Sequence, residues 1–163
     1  MSRDEEPSRW SRRLLLVGLA ALGFAIASTL ALYQWGILAT VWEPFFGSGS
    51  RNILHSEFAR RLPIPDAALG AIAYLVDGVA GLLGGPERYR TQPVFVFVMA
   101  LAVIPMGLAS LGLILLQAVV FREFCTLCLA SAAISIGLVP LAWPEIRATW
   151  RAWRRRRVDK REI

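Results

Sequence analysis

The sequence predicts an all-α integral membrane protein, a four-transmembrane-helix bundle with a long outer loop between helices 1 and 2. The chain has 163 residues, is 56% hydrophobic and has a mean hydropathy of +0.51, which is too apolar for a soluble domain of this length. Its apolar residues lie in four runs that are almost free of charge. Each run nearly reaches or exceeds the roughly 20 residues that a helix needs to cross the hydrocarbon core. Helices of a soluble bundle would need polar faces that these runs lack.

The first span is expected over about residues 13–35. Its apolar run is longer than the core of a secretory signal and ends at no clear cleavage site, so it is interpreted as a retained helix. Residues 42–66 then form the only long segment between spans, and this outer loop begins with the turn-rich sequence WEPFFGSGS. Leu54, Phe58 and Leu62 recur at helical spacing within it and predict a short amphipathic helix on the membrane surface.

The other three spans follow with short connections. The second is expected over about residues 67–85 and the third over about 93–121, and only three residues then precede Cys125 at the start of the fourth. Ala133 and Gly137 in the fourth span are four residues apart. Small residues at this spacing predict close packing against a neighbouring helix.

Positive charge is distributed unevenly along the chain. The membrane domain is expected over residues 13–145, between a cytoplasmic N-terminal arm at 1–12 and a basic cytoplasmic tail at 146–163. With four spans, 14 of the 18 Lys and Arg residues lie on one side. This bias places both termini in the cytoplasm of a multi-pass plasma-membrane protein and the cysteine pair near the outer face. The tail is expected to face anionic lipid, and nucleic acid is not an expected partner.

The only two cysteines, Cys125 and Cys128, are three residues apart in the stretch FREFCTLCLA. On a helix these positions share a face and lie within disulfide reach. A helix N-terminus stabilises a thiolate, and Arg122 lies one turn earlier, so Cys125 is expected to be a reactive and accessible thiol. Cys128 is expected to lie deeper in the bundle. The pattern favours a redox-active pair over its alternative, two inert cysteines in a membrane helix.

Other uses of a cysteine pair fit this chain less well. A zinc site normally needs four ligands, and the chain offers two cysteines and His55, so no metal is expected. Haem attachment requires a histidine directly after the second cysteine, where Leu129 stands. A membrane quinone, menaquinone or ubiquinone, is the acceptor that fits a dithiol in the bilayer. Its pocket is expected among the four helices near Cys128.

The arrangement resembles the vitamin K epoxide reductase family, with four spans, a long outer loop after the first, and FCTLCLASAAIS opening the fourth. SRNILHS followed by PDAALGAIAYL is similar to the family's loop segment and the start of its second helix. The resemblance covers about residues 14–144. It implies that Cys125 exchanges disulfides and Cys128 faces the quinone. It also implies that Asp66 hydrogen-bonds a quinone carbonyl and that Tyr74 lines the pocket.

Three residues of the second span have more than one interpretation. Asp66 bonds a carbonyl only when it is protonated, and it is interpreted equally well as the N-cap of the second helix. Tyr74 also fits simple packing against lipid or another helix. Asp77 lies in the middle of the span, where an ionisable group is a functional candidate by default. Its alternative is a protonated or helix-paired acid buried in the bundle.

The outer loop departs from the family pattern. In the family this loop carries two cysteines that shuttle electrons to the CxxC pair, whereas here Trp42 and Ser50 stand near those places. Serine cannot exchange disulfides. Therefore either a thioredoxin-like partner reduces the pair directly, or the shuttle lies in another protein, or turnover has been lost. Glu43, Arg51 and His55 are interpreted as solvated surface residues of the loop.

The sequence thus predicts a membrane thiol–quinone oxidoreductase. It would pass electrons from extracytoplasmic thiols through the CxxC disulfide to a quinone, and so support disulfide bond formation. One alternative is reduction of a quinone or quinone epoxide by the same dithiol. The other is a non-catalytic membrane scaffold that kept the fold and lost the relay.

Overall fold

The computed structural model describes residues 9–47, 49–54, 65–85 and 87–159. These residues form six α-helices and one π-helical turn, without a strand, so the all-α class is confirmed for the described part of the chain. The α-helices are α1 (Trp10–Gln34), α2 (Gly49–Leu54), α3 (Asp66–Leu82), α4 (Arg88–Thr91), α5 (Pro93–Leu116) and α6 (Thr126–Asp159), and the π-helical turn covers Gln117–Phe121.

Three segments are long and apolar enough to cross a membrane: Trp10–Gln34, Pro93–Phe121 and Thr126–Arg156. The chain is therefore a multi-pass membrane protein. Helix α3 has 17 residues. At 1.5 Å per residue such a helix rises about 26 Å, slightly less than a hydrocarbon core of roughly 30 Å. The second predicted span, which corresponds to α3, therefore stays a prediction, and so does the count of four. The full length of the outer loop stays a prediction as well, because residues 55–64, with the predicted amphipathic helix beyond Leu54, lie outside the described residues.

The four long helices pack in a ring, with α1 beside α3, α3 beside α5, α5 beside α6 and α6 beside α1. Helices α1 and α3 run antiparallel, because Gly70 approaches Ala27 whereas Gly81 approaches Val17. The core between the helices is apolar. Its buried members include Leu16, Ala27, Ala71, Tyr74, Met99, Val103, Leu138 and Ala142.

Glycines allow the helices to approach each other at particular levels. Gly23 on α1 lies directly under the ring of Tyr74, and Gly107 on α5 lies against α6, so a Cβ at either position would overlap its neighbour. The close packing predicted at Ala133 and Gly137 is wrong. Ala133 is exposed and Gly137 faces open space, so this pair of small residues lies away from the helix contacts.

Two buried arginines close the end of the bundle where α3 terminates. Arg88 pairs with Glu145 through Nη2 and Oε2 at 2.7 Å and donates to the carbonyl of Leu83 at 2.8 Å. Arg13 donates to the carbonyls of Gly81 and Leu83, both at 2.9 Å. The last carbonyls of a helix have no partner within it. The buried guanidinium groups of Arg13 and Arg88 supply the missing donors.

Helix α6 continues well past the predicted end of the membrane domain. It runs without a break through Pro144 to Asp159, so most of the predicted basic tail is a helical extension of the last long helix. Aromatic contacts join this extension to α5. The ring of Phe97 lies 6.5 Å from that of Trp150 and 6.2 Å from that of Trp153. Aromatic residues of this kind are enriched where a helix leaves the hydrocarbon for the headgroups.

Candidate functional site

The two cysteines are bonded to each other at the start of α6, with Cα atoms 5.2 Å apart. Cys125 directly precedes the helix, and its Sγ accepts the backbone N–H of Cys128 at 3.1 Å. This contact resembles an N-cap, in which a side-chain acceptor satisfies one of the four free N–H groups of the first turn. The shared face and disulfide reach expected from the spacing are therefore present.

The two sulfurs have different surroundings. Cys125 is fully buried, among Leu30, Tyr33 and Leu54. Cys128 is partly exposed and borders a cavity. The prediction of an accessible thiol at Cys125 is wrong for this disulfide-bonded state, because the stretch after α1 and helix α2 pack over it. Cys128 lies one turn further along the helix but is more exposed than Cys125, so its expected greater depth in the bundle stays a prediction.

The residues after α1, 35–47 and 49–54, are called the outer segment after the predicted outer loop, and they cover the motif through three contacts. Both carboxylate oxygens of Glu43 accept the N–H of Thr126 at 3.2 Å, and Glu43 also accepts the Thr126 hydroxyl. The ring of Phe46 lies 5.5 Å from that of Phe124. Gly49 approaches the carbonyl of Phe124 so closely that a Cβ would overlap it. The interpretation of Glu43 as solvated surface is wrong, because its charge lies at the N-terminus of α6, where the helix dipole favours an anion.

Gln117 supports the motif from the π-helical turn. Its Oε1 accepts the backbone N–H of Cys125 at 3.3 Å, so a buried donor beside the disulfide is satisfied. Arg122 lies between this turn and Cys125 in the left-handed conformation, with φ of 53°. Gln117 is not among the residues that the sequence predicts for the site. The available signal was that it is the only amide side chain in the apolar run 93–121.

A cavity of about 410 Å³ lies between the long helices beside Cys128. This volume falls within the range of roughly 300–1,000 Å³ that is typical of small-molecule sites. Its walls come from α1, α2, α3, α5 and α6 and are mainly apolar, as in most sites of this kind. The polar side chains that border it are those of Gln34, Asp66, Tyr74, Ser110, Gln117, Ser131 and Ser135.

Asp66 borders the cavity as the first residue of α3. The N-cap position belongs to Pro65, so the N-cap interpretation of Asp66 is wrong. Its Oδ1 accepts a hydrogen bond from Nε2 of Gln34, with 2.7 Å between the two atoms, and this bond joins α3 to the end of α1. Gln34 is a second site residue that the sequence analysis does not single out, although it is the only amide in the first apolar run.

Tyr74 borders the same cavity and is almost fully buried. Its hydroxyl donates to the carbonyl of Ser131 at 2.6 Å and lies 2.7 Å from Oγ of Ser135. Packing against lipid is therefore wrong for this side chain. Tyr74 lines the cavity and also holds α3 against α6. The two other interpretations of this residue, pocket lining and packing against a helix, are therefore both consistent with the structure.

Asp77 lies outside the cavity, one turn further along α3. It is fully buried, and neither of its carboxylate oxygens has a hydrogen-bond partner among the described residues. Pairing with a neighbouring helix is thus not seen in that part of the chain. His55 lies outside the described residues. Among those that the structure describes, no three potential ligands come close enough together to hold a metal ion.

The fold and the site define a multi-pass, all-helical membrane protein in which a bonded cysteine pair borders an apolar cavity. The chain belongs to the vitamin K epoxide reductase family, whose model matches residues 14–143. The resemblance predicted over 14–144 is confirmed. Membership makes the chain a membrane oxidoreductase of a family that uses quinone and vitamin K-type substrates. Among curated proteins, none matches this chain.

Proposed function

We propose that the chain is a membrane thiol–quinone oxidoreductase that supports disulfide bond formation. Electrons would pass from extracytoplasmic thiols through the Cys125–Cys128 disulfide to a membrane quinone, menaquinone or ubiquinone. The observation that carries this proposal is the asymmetry of the two sulfurs. Cys125 caps α6 beneath the outer segment, while Cys128 borders the apolar cavity. This asymmetry supports assigning contact with a ligand dissolved in lipid to Cys128, and exchange with a thiol donor to Cys125 when the outer segment is uncovered.

The proposed topology has four spans, with both termini in the cytoplasm and the disulfide near the outer face. Two charged ends of the bundle support it. Glu43 and the cysteine pair lie at one end, whereas Arg13, Arg88 and Glu145 lie at the other with the basic extension of α6. Since Lys and Arg are enriched on the cytoplasmic side, the second end is assigned to the cytoplasm.

The first half-reaction reduces the disulfide. A thiolate of a thioredoxin-like partner attacks Sγ of Cys125, and Cys128 leaves as a thiolate. The second thiol of the partner then attacks the mixed disulfide and departs oxidised. The partner has lost two electrons and two protons, and the cysteine pair has gained both. The N–H groups at the start of α6 stabilise the anionic sulfur during this exchange.

The second half-reaction reduces the quinone. The Cys128 thiolate adds to the quinone ring, and Cys125 then attacks Sγ of Cys128, which re-forms the disulfide and releases the hydroquinone. The two electrons and two protons of the dithiol end on the hydroquinone. The net reaction converts a dithiol and a quinone into a disulfide and a hydroquinone, with no further reductant.

The family description favours quinone-epoxide reduction as a second candidate on the same residues. In that reaction the dithiol and the epoxide would give the disulfide, the quinone and water. The third candidate is a scaffold without turnover. The complete burial of Cys125 and the lack of any further cysteine in the chain favour it.

Purified protein in detergent distinguishes these candidates. Quinone reduction is measured with dithiothreitol or a reduced thioredoxin-like protein as donor, and quinone epoxide is offered in a parallel assay. We expect the wild-type protein to reduce the quinone and Cys128→Ala to lose this activity. Thr149→Val is the matched control, because Thr149 is buried but lies outside the cavity. Wild-type rates no higher than those of Cys128→Ala would remove the enzymatic proposal.

The scaffold candidate has its own test. Membranes from cells that have received no reductant are labelled with a maleimide of known mass. One sample is labelled directly, and a second is labelled after reduction in vitro. A cycling pair is protected from the label until it is reduced. Two cysteines that react fully without reduction would instead favour the scaffold.

A further inference from the structure

We infer that Gln34 at the end of α1 binds the reduced form of the ligand, so that the cavity holds a hydroquinone more tightly than the corresponding quinone. This inference rests on the proposed function and deepens it, because it assigns a residue that selects between the two redox forms of the ligand. Neither the sequence analysis nor family membership assigns this position.

The orientation of the Gln34 amide is set by Asp66. The amide Nε2 donates to Oδ1 of Asp66 at 2.7 Å. A carboxylate oxygen accepts hydrogen bonds, so the nitrogen of the amide faces Asp66 and the oxygen points away from it. Oε1 of Gln34 is shielded from solvent and has no hydrogen-bond partner among the described residues. A buried acceptor in this condition favours any ligand that brings a donor.

Gln34 differs in location from the other residues that have a buried side-chain oxygen without a hydrogen-bond partner. Within the described ranges, the remaining unpartnered side-chain oxygens belong to Asp77 and Thr149. Neither of these residues borders the cavity, whereas Gln34 does, together with Cys128. The residue that carries this unsatisfied acceptor therefore borders the same cavity as the reacting sulfur.

The two ligand forms differ in what they offer such an acceptor. A quinone has two carbonyl oxygens, which only accept hydrogen bonds. A hydroquinone has two hydroxyl groups, each of which donates one. Oε1 of Gln34 also only accepts, so it can pair with the hydroquinone but not with the quinone.

The extra hydrogen bond to the hydroquinone favours electron transfer from the cysteine pair to the quinone. When the dithiol gives two electrons and two protons to the quinone, a new hydroxyl forms that can donate to Gln34. The product gains a hydrogen bond that the substrate lacked. Preferential binding of the reduced form raises the reduction potential of the bound ligand and draws electrons from the cysteine pair.

The test measures binding of both redox forms to the oxidised protein, whose disulfide cannot donate electrons. The probes are menadione and decylubiquinone, each with its hydroquinone, under anaerobic conditions. We expect Gln34→Met, which keeps the length of the side chain, to weaken hydroquinone binding about tenfold while quinone binding stays the same. For a two-electron couple, tenfold corresponds to about 30 mV in the potential of the bound ligand.

The ratio of the two affinities is taken within each variant, so a partly unfolded sample does not alter it. Thr149→Val is the matched control, since it also removes a buried unpartnered oxygen but lies outside the cavity, and we expect its ratio to equal that of the wild type. An unchanged ratio in Gln34→Met, or an equal loss for both forms, would overturn this inference and leave the proposed function standing. A wild-type protein that binds neither form would overturn both.

Discussion

The backbone N–H of Cys128 donates to Sγ of Cys125 at 3.1 Å, across the disulfide that joins the two residues. One sulfur thus lies at the positive end of the helix that carries the other. The same helix end also binds the carboxylate of Glu43 through Thr126. The chemistry of the pair is therefore set by two local partners, a favourable helix N-terminus and an outer segment that restricts access.

The contact between Glu43 and Thr126 is expected to control the rate at which the disulfide is reduced. Glu43→Ala removes the acceptor for two donors at the start of α6, and each such hydrogen bond contributes about 1 kcal/mol. Together they amount to about 2 kcal/mol, so the uncovered form should become roughly thirtyfold more populated and dithiothreitol should reduce the disulfide roughly thirtyfold faster. Mass-tagging of the freed thiols over time measures this rate.

Glu87→Ala is the control for this experiment. Glu87 is exposed and lies in the turn just before α4, away from the outer segment, so its replacement should leave the reduction rate unchanged. Equal rates for wild-type protein and Glu43→Ala would show that this contact does not limit access to Cys125.

Gly49 is expected to be required for closure of the outer segment. A Cβ at this position would overlap the carbonyl of Phe124, so Gly49→Ala must push α2 away from the motif. The expected result is faster disulfide reduction together with a lower melting temperature in detergent. Gly137→Ala is the matched control, because Gly137 faces open space and alanine has the higher helix propensity. If both variants behave alike, the approach of Gly49 to Phe124 is not what holds the segment in place.

The buried pair Arg88–Glu145 is expected to be the most sensitive point for stability. Removing one partner of a buried ion pair leaves an uncompensated charge, at a cost of about 3–5 kcal/mol. Glu145→Leu should therefore lower the melting temperature sharply in detergent. Arg88→Met should do so as well, since it also removes the donor to the carbonyl of Ala80 near the end of α3. Arg90→Gln serves as the control, because Arg90 is exposed. If Glu145→Leu melts at as high a temperature as Arg90→Gln, the expectation is contradicted.

The hydroxyl of Tyr74 is expected to matter for both stability and ligand binding. Tyr74→Phe removes the donor to Ser131 and the contact with Ser135 while keeping the ring above Gly23. A buried hydrogen bond of this kind contributes about 1–2 kcal/mol, so a lower melting temperature and a several-fold higher KM for quinone should follow. Melting curves and quinone kinetics measured on the same preparation test both parts. An unchanged KM would restrict Tyr74 to a role in helix packing.

The helical class and the order of the long helices could be predicted because they depend on neighbours in sequence. The apolar run 93–121 matches α5 and its π-helical turn, and the spacing of Cys125 and Cys128 brings them within bonding distance. Patterns of this kind report burial and helical periodicity. They do not report which faces meet, and for that reason the packing predicted at Ala133 and Gly137 failed.

The sequence alone determined that this protein is an all-helical membrane protein with a cysteine pair at the start of its last helix. Only the tertiary structure decided that Cys125 is covered, that Glu43 binds the end of α6, and that Gln34 meets Asp66. Glu43 and Thr126 are 83 residues apart, and Gln34 and Asp66 are 32 apart. Local propensity and hydropathy carry no information about such pairs, because their energies arise only when separate helices and loops pack together.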